Sequence, residues 1–214
     1  MLSQMPKGLL FVLVGPGGIG KNTLMNIVME RHPQIIQLAT ATTRPIREGE
    51  LQSREHEFVS LERFREMIAN NELLEHQEVT KGKFYGIIRA TVENHIANGQ
   101  NLVADIEVLG AKILRDKFPN QTILIFVTAS GETLDEKLDI LQQRMLKRLK
   151  ANPTAKDLAQ VQQRLKRAKE LEFPFADDCD FVIVNDDKNH AVRELEQFIL
   201  AQIAEQSTQI VEEA

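Results

Sequence analysis

The sequence predicts an α/β protein whose sheet is parallel and buried on both faces. Three observations carry that prediction. Four short runs, at 9–14, 101–106, 122–127 and 181–184, are apolar without alternation and rich in β-branched residues. Stretches of helical periodicity separate them, which calls for right-handed crossovers between parallel strands. The first run also passes through a glycine-rich loop directly into a helix. In sheets of this kind ligands gather at the carboxyl ends of the strands. The glycine loop, Asp105 and the pair Asn185-Asp186 all fall on that edge.

Taken in order, residues 1–7 lack a basic region leading into a long apolar segment and a small-residue cleavage site. The run at 9–14 is too short for a signal core or a membrane span. The expectation is a cytoplasmic protein with no membrane partner. Next comes Gly15-Pro16-Gly17-Gly18-Ile19-Gly20-Lys21-Asn22-Thr23. Glycines let successive backbone N–H groups face inward, and the dipole of the following helix adds positive potential, so this loop is a cradle for phosphates. Lys21 brings a full charge to the β- and γ-phosphates of a nucleoside triphosphate. The pattern G-x-x-x-x-G-K-[ST] holds through Lys21 and then breaks. Asn22 stands where the Mg²⁺-ligating hydroxyl belongs, and the hydroxyl of Thr23 comes one residue late. Either the Asn22 amide oxygen ligates Mg²⁺, or a water fills the gap, since Mg²⁺ keeps several waters.

The helix after the loop ends near His32-Pro33, where proline forbids continuation. Ile35, Ile36 and Leu38 make a short strand. From 39 to 99 the chain reads as polar and irregular, with one helix at 60–68 capped by Ser60 and packed through Phe64, Met67 and Ile68. It is expected to be a subdomain hung between core strands and closed by the turn signal Asn98-Gly99. A second excursion, 132–172, repeats Leu134, Leu138, Leu141, Met145 and Leu149 at helical spacing. It breaks at Asn152-Pro153 and resumes with Leu158, Val161, Leu165, Ala168 and Leu171. Two helices joined by a loop are expected, with basic outer faces. Arg164 and Arg167, spaced i,i+3, share one face and are able to fork onto a phosphate. The last strand leads into a helix at 190–203 and a polar, acidic tail, 204–214, expected to fray.

Composition narrows the function classes. Among 214 residues, 43% apolar and 27% charged, one domain with a sizeable core is expected. A net charge of −5 argues against a dedicated nucleic-acid binder, and with no Trp and one Tyr there is no base-stacking platform. Cys179 is the single cysteine, so no internal disulfide forms and a reducing compartment is the natural home. The five histidines show no metal-ligand spacing. Monomer and homodimer both remain open.

A longer set of motifs, in order and at matching spacing from about residue 8 to 203, resembles guanylate kinase. The set comprises the glycine loop, Thr42-Thr43-Arg44-Pro45 with Arg47 and Gly49-Glu50, and Glu57-Phe58-Val59-Ser60. It continues with Leu74-Glu75, Phe84-Tyr85-Gly86, Asp105-Ile106-Glu107, Gly110-Ala111, Arg164-Leu165 and Ile183-Val184-Asn185-Asp186-Asp187. The resemblance implies a three-layer P-loop kinase fold with core 8–38, 100–131 and 173–203, a GMP-binding insert at 39–99 and a helical lid at 132–172. It also implies ATP and Mg²⁺ on the donor side and GMP as acceptor. The chemistry of the residues agrees. Arg44 and Arg47, spaced by Pro45, suit a bidentate grip on a phosphate dianion, and Tyr85 can donate its phenol to the same oxygens. Glu75 and Glu107 accept hydrogen bonds only, as guanine N1–H and its exocyclic amine require, and adenine offers no such edge. The resemblance gives these five residues those roles. It sets Thr40 beside the base, His56 at a monophosphate contact that is usually tyrosine, and Asp105 near the metal and phosphates together with Asn22. Asn185 and Asp186 fall to the ATP site. Arg148, Arg164 and Arg167 fall to the lid that closes over ATP, with Arg167 counted among the substrate contacts.

The departures bear mostly on the acceptor. Asn22, His56, Ile87 in place of a small hydroxyl residue, Glu107 in place of aspartate, Leu149 in place of a glycine after Arg148, and an inserted Lys81 all differ from the family pattern. They keep two rivals in view: a related kinase with another acceptor such as a sugar phosphate, and a guanylate-kinase-like module that only binds.

Overall fold

A computed structural model describes residues 7–54, 56–149 and 151–213. Every residue of the first strand, β1 (Leu10–Val14), is buried, as a strand with neighbours on both edges and helices on both faces requires. The glycine loop then opens into α1 (Lys21–Arg31), followed by the short strands β2 (Ile35–Gln37), β3 (Thr40–Thr42) and β4 (His56–Phe58). Helix α2 (Leu61–Ala69) leads to a hairpin of β5 (Leu73–Thr80) and β6 (Lys83–Ile88), then α3 (Arg89–Ala97). The chain continues through β7 (Asn101–Asp105), α4 (Val108–Lys117), β8 (Thr122–Thr128), α5 (Leu134–Lys147) and α6 (Ala155–Arg167). A wide π-helical turn (Ala168–Glu172) and a 3₁₀ turn (Phe173–Asp178) lead to β9 (Phe181–Val184) and α7 (Lys188–Glu213).

Five strands form a parallel sheet in the order β2-β7-β1-β8-β9. The period of two along a strand sorts side chains between its faces. Phe11 and Leu13 meet Leu24, Met25 and Val28 of α1 and Val192, Leu195 and Ile199 of α7. Leu10, Val12 and Val14 meet Val92 and Ile96 of α3 and Val108, Ala111 and Leu114 of α4. The three layers expected from the sequence are therefore present, and Leu13 sits in register with Asp105 on one side and Ile125 on the other.

Three expectations need correction. The stretch from 39 is not irregular: β4-β3-β6-β5 form a second sheet, with Ala41, Phe64, Met67 and Leu73 as a small core of their own. Its strands are half-exposed and mix polar with apolar residues, so period and hydrophobicity did not announce them. The chain also rejoins the core before Gly99, because Val92 and Ile96 of α3 lie in the central cluster. Finally, the tail expected to fray is helical through Glu213. It holds no Gly or Pro, and Ser207 and Thr208 donate their hydroxyls to the carbonyls of Ile203 and Ala204; Ala214 lies outside the described residues.

Several local signals read from the sequence do hold. Ser60 accepts from the Arg63 N–H at the start of α2. Lys81 falls in the turn of the β5–β6 hairpin, beside Gly82 at φ 77°, where one extra residue is tolerated. The structure adds two signals the sequence reading did not use: Thr133 with Glu136 and Thr154 with Asp157 close capping boxes on α5 and α6.

Candidate active site

Gly15, Gly18 and Gly20 all take positive φ, which turns the loop's amides toward one side. Gly20 is the residue before α1 (φ 109°), and a Cβ there would lie 2.4 Å from the Asn185 amide nitrogen. That amide donates to the Ile19 carbonyl at 2.8 Å, so Asn185, at the end of β9, clamps the loop from outside. Lys21, 9% exposed, donates to the carbonyls of Gly15 (2.7 Å) and Pro16 (3.3 Å) and lies 3.5 Å from Asp105 at the end of β7. Desolvation pushes the Asp105 carboxyl above its ordinary range, and the Lys21 ammonium opposes that. Arg148 caps α5 above the loop; a Cβ on Gly18 would meet its Nη1 at 3.5 Å.

A cavity of about 560 Å³ opens between the two sheets. Its walls include Asn22, Thr40, Arg44, Arg47, His56, Glu75, Tyr85, Ile87, Asp105 and Glu107, so ten residues separated by up to 85 positions are drawn together. Arg44 is buried, and each of its three guanidinium nitrogens donates. Nη1 and Nη2 donate to the two oxygens of Glu50 at 2.6 and 2.5 Å, and Nε donates to the Tyr85 hydroxyl at 3.1 Å. Arg44 also stacks its guanidinium over the Phe58 ring, 5.3 Å from the centroid. The Arg44 hydrogen bonds hold the Glu50 carboxyl down at about 2, and the Arg47 N–H adds a third donor at 2.8 Å. Thr40 Oγ1 and His56 Nδ1 lie 2.7 Å apart, and the His56 ring meets Tyr85 edge to face.

Glu75 differs from every other acid of this wall. It is 8% exposed, and its Oε2 has no hydrogen-bond partner among the described residues. Desolvation, with the Glu107 charge second, pushes its carboxyl up to about 7. Helix α4 can come this close because Gly110 stands where a Cβ would lie 3.1 Å from Ile87 Cδ1 and 3.3 Å from Glu75 Oε1. Glu107, just before α4, is paired with Arg167 from the end of α6, which also holds Glu172 through Nε at 3.2 Å. Asp105 and Glu107 line both this cavity and a smaller one beside Gly15, Gly17 and Lys21.

Three residues singled out from the sequence stand apart. Arg164 is exposed on α6 and lines neither cavity. Thr23 is exposed, and its N–H donates to the Gly20 carbonyl. Asp186 is committed to Arg144 at 2.7 Å and to the Ser130 N–H. Conversely, Glu50 and Glu172 went unassigned in the sequence reading. The first was in view as part of Gly49-Glu50; the second had no local signal.

The matches with known proteins cover this whole arrangement. The family model described as Guanylate kinase matches residues 7–202. The chain belongs to the guanylate kinase family. Among curated guanylate kinases, that of a Nostoc species is 37% identical over 189 residues, 88% of each chain. That of a Synechocystis species is 37% identical over 193 residues, 90% of this chain and 94% of the relative. The crystal structure of guanylate kinase from Anaplasma phagocytophilum superposes with a TM-score of 0.69 at 25% identity, covering 92% of this chain and 87% of that one. The P-loop kinase fold and the kinase assignment follow, and guanylate kinases as a family phosphorylate GMP with ATP. No helix among the described residues is long and apolar enough to cross a membrane.

The donor set fits a nucleotide-borne Mg²⁺. Among the described residues no group of three His, Cys, Asp or Glu forms a cage. Mg²⁺ usually takes only one or two protein oxygens beside substrate phosphates. Asp105 and Asn22 are hard oxygen donors where the loop meets the acceptor cavity.

Proposed function

We propose that this chain transfers the γ-phosphoryl group of ATP to GMP, and equally to dGMP, by in-line displacement. The observation that carries the acceptor is Glu75: a buried carboxylate with an unpartnered oxygen, in a cavity that also holds Arg44, Arg47 and Tyr85. An orphaned buried acceptor costs about 1–3 kcal/mol, and guanine N1–H and the 2-amino group supply the donors that relieve it. The arginines take the phosphate at the other end. Nothing invoked reads the ribose 2′-hydroxyl, so dGMP is expected to follow GMP.

Phosphoryl transfer needs alignment and neutralisation of charge more than covalent help. Asp105 and Glu107 border both cavities, so donor and acceptor phosphates would approach over one short wall. Lys21 would leave the Gly15 and Pro16 carbonyls for the donor phosphates. Arg148, and Arg164 once the lid closes, would cover them and exclude water. Asp105 and Asn22 would hold Mg²⁺, which when bound neutralises phosphate charge. Arg44, freed in part from Glu50, would hold the acceptor phosphate dianion.

A coupled assay across GMP, dGMP, AMP, UMP and ribose phosphates tests this reading. GMP and dGMP are expected to exceed the others by about 10²-fold or more in kcat/KM, because other acceptors leave Glu75 unpaired. GMP giving no more signal than AMP or a ribose phosphate would overturn it and favour another acceptor, a possibility that the purely aliphatic wall at Ile87 keeps concrete.

A further inference from the structure

The base of the lid meets the wall of the acceptor cavity at Glu107, through two residues that the reaction itself does not use: Arg167 lines neither cavity, and Glu172 lines the smaller one. Arg167, the last residue of α6, donates through Nη2 to Glu107 Oε2 and through Nε to Glu172 Oε1. Glu172 is 6% exposed, although it follows a charged, solvated helix. What brings it inward is the π-helical turn at Ala168–Glu172. Residues i and i+5 of an α-helix point about 140° apart, since each residue turns about 100°. A turn closed i to i+5 sets them side by side. Arg167 and Glu172 stand in that relation, so the wide turn is what lets one guanidinium bridge two carboxylates.

Glu107 gains a fixed position from this bridge. Its side chain is 38% exposed, yet one oxygen is anchored, and the residue lines the cavity. Among the described residues Oε1 has no hydrogen-bond partner, so it is the oxygen left for a ligand. A carboxylate that must accept from a planar base edge profits from such anchoring, because the ordering entropy is spent before binding.

We infer that Arg167 and Glu172 are positioning residues that hold Glu107 for guanine, so that the foot of the lid contributes to acceptor recognition. Arg167 then acts through Glu107 and does not grip ATP. The inference rests on GMP being the acceptor. Desolvation, with the Glu107 charge second, pushes the Glu172 carboxyl up to about 7, against the Lys21 and Arg167 charges, which favour its ionised form.

Steady-state kinetics with full-length protein test it. Arg167→Gln is expected to raise the KM for GMP about five- to tenfold while leaving kcat and the KM for ATP within about twofold, the signature of lost uniform binding. Glu172→Gln is expected to raise the KM for GMP about two- to threefold. Arg167→Lys, a point charge without the fork, should fall between wild type and Arg167→Gln. In a Glu107→Gln background, Arg167→Gln should add no further effect. A rise in the KM for ATP, a fall in kcat, or full additivity in the double variant would overturn the inference. If Arg167→Gln does not fold, Arg167→Lys and Glu172→Gln carry the same comparison. Wild-type protein that fails to phosphorylate GMP would instead defeat the functional reading, and would do so before any variant is made.

Discussion

On the donor side, the phosphate cradle is main chain held from behind. Asn185 grips the Ile19 carbonyl, Lys21 rests on two loop carbonyls, and Asp105 comes no closer to it than 3.5 Å. On the acceptor side, the cradle is long side chains already held by internal partners: Arg44 by Glu50 and Tyr85, and Glu107 by Arg167. Backbone amides at a helix N-terminus need no partner to keep their aim. A guanidinium does, and here Glu50 holds Arg44 in place. The donor half is thus rigid by construction, and the acceptor half is rigid by compensation.

Substitutions should separate the two halves. The largest effect is expected from Lys21→Ala, a loss in kcat of about 10³ or more with the KM for GMP little changed, because its charge acts on the transferring group. Arg44→Ala should lower kcat/KM for GMP by about 10²–10³ and show part of that loss in KM. Equal losses in both parameters for both variants would erase the contrast. Circular dichroism should show both variants folded.

Glu75→Gln should lower kcat/KM for GMP by about 10² and change stability in the opposite sense. Folding raises the Glu75 pKa from its ordinary 4.5 to about 7. The folded state therefore binds a proton that the unfolded state has released, and stability falls as pH rises between those values. Glu172 adds a slope of the same sign. The melting temperature should thus drop from pH 5 to 8 in wild type and drop less in Glu75→Gln. The stabilisation conferred by GMP should grow over the same range, since guanine needs the carboxylate. Ligand-induced shifts that shrink with pH would remove Glu75 from base recognition.

The smallest effects test the clamp on the loop. Asn185→Ala should raise the KM for ATP about three- to tenfold and leave the KM for GMP alone, as one hydrogen bond permits. Gly20→Ala should cost more than Asn185→Ala, because it combines a positive φ with a Cβ 2.4 Å from the Asn185 amide. Removing the amide in the double variant relieves only the second of these.

The frame of the donor half was legible, although Thr23, Arg164 and Asp186, expected at the donor, stand apart from it. Strand, loop and helix from Leu10 to Arg31 are consecutive, and each reports itself by local pattern. In the acceptor half the residues were legible but not the frame. The eight residues of β5, Leu-Leu-Glu-His-Gln-Glu-Val-Thr, mix charge into a half-exposed strand, so the second sheet was not visible. Glu50 was readable as part of a motif but not as a partner, because pairing depends on where a fork points.

By itself the sequence determined the parallel core and the glycine loop, and it named the acids and arginines that are candidates for the nucleotide site. Those are properties of short segments: period, glycine placement and side-chain chemistry. Only the tertiary structure decided which charges meet. Arg44 closes on Glu50 six residues on, and a wide turn sets Glu172 under Arg167 five residues on, through loop and turn conformations that no local pattern reports; Glu75 Oε2 is left without a partner among the described residues where β5 packs beside α4. At that scale a fraction of an ångström separates a pair from an orphan.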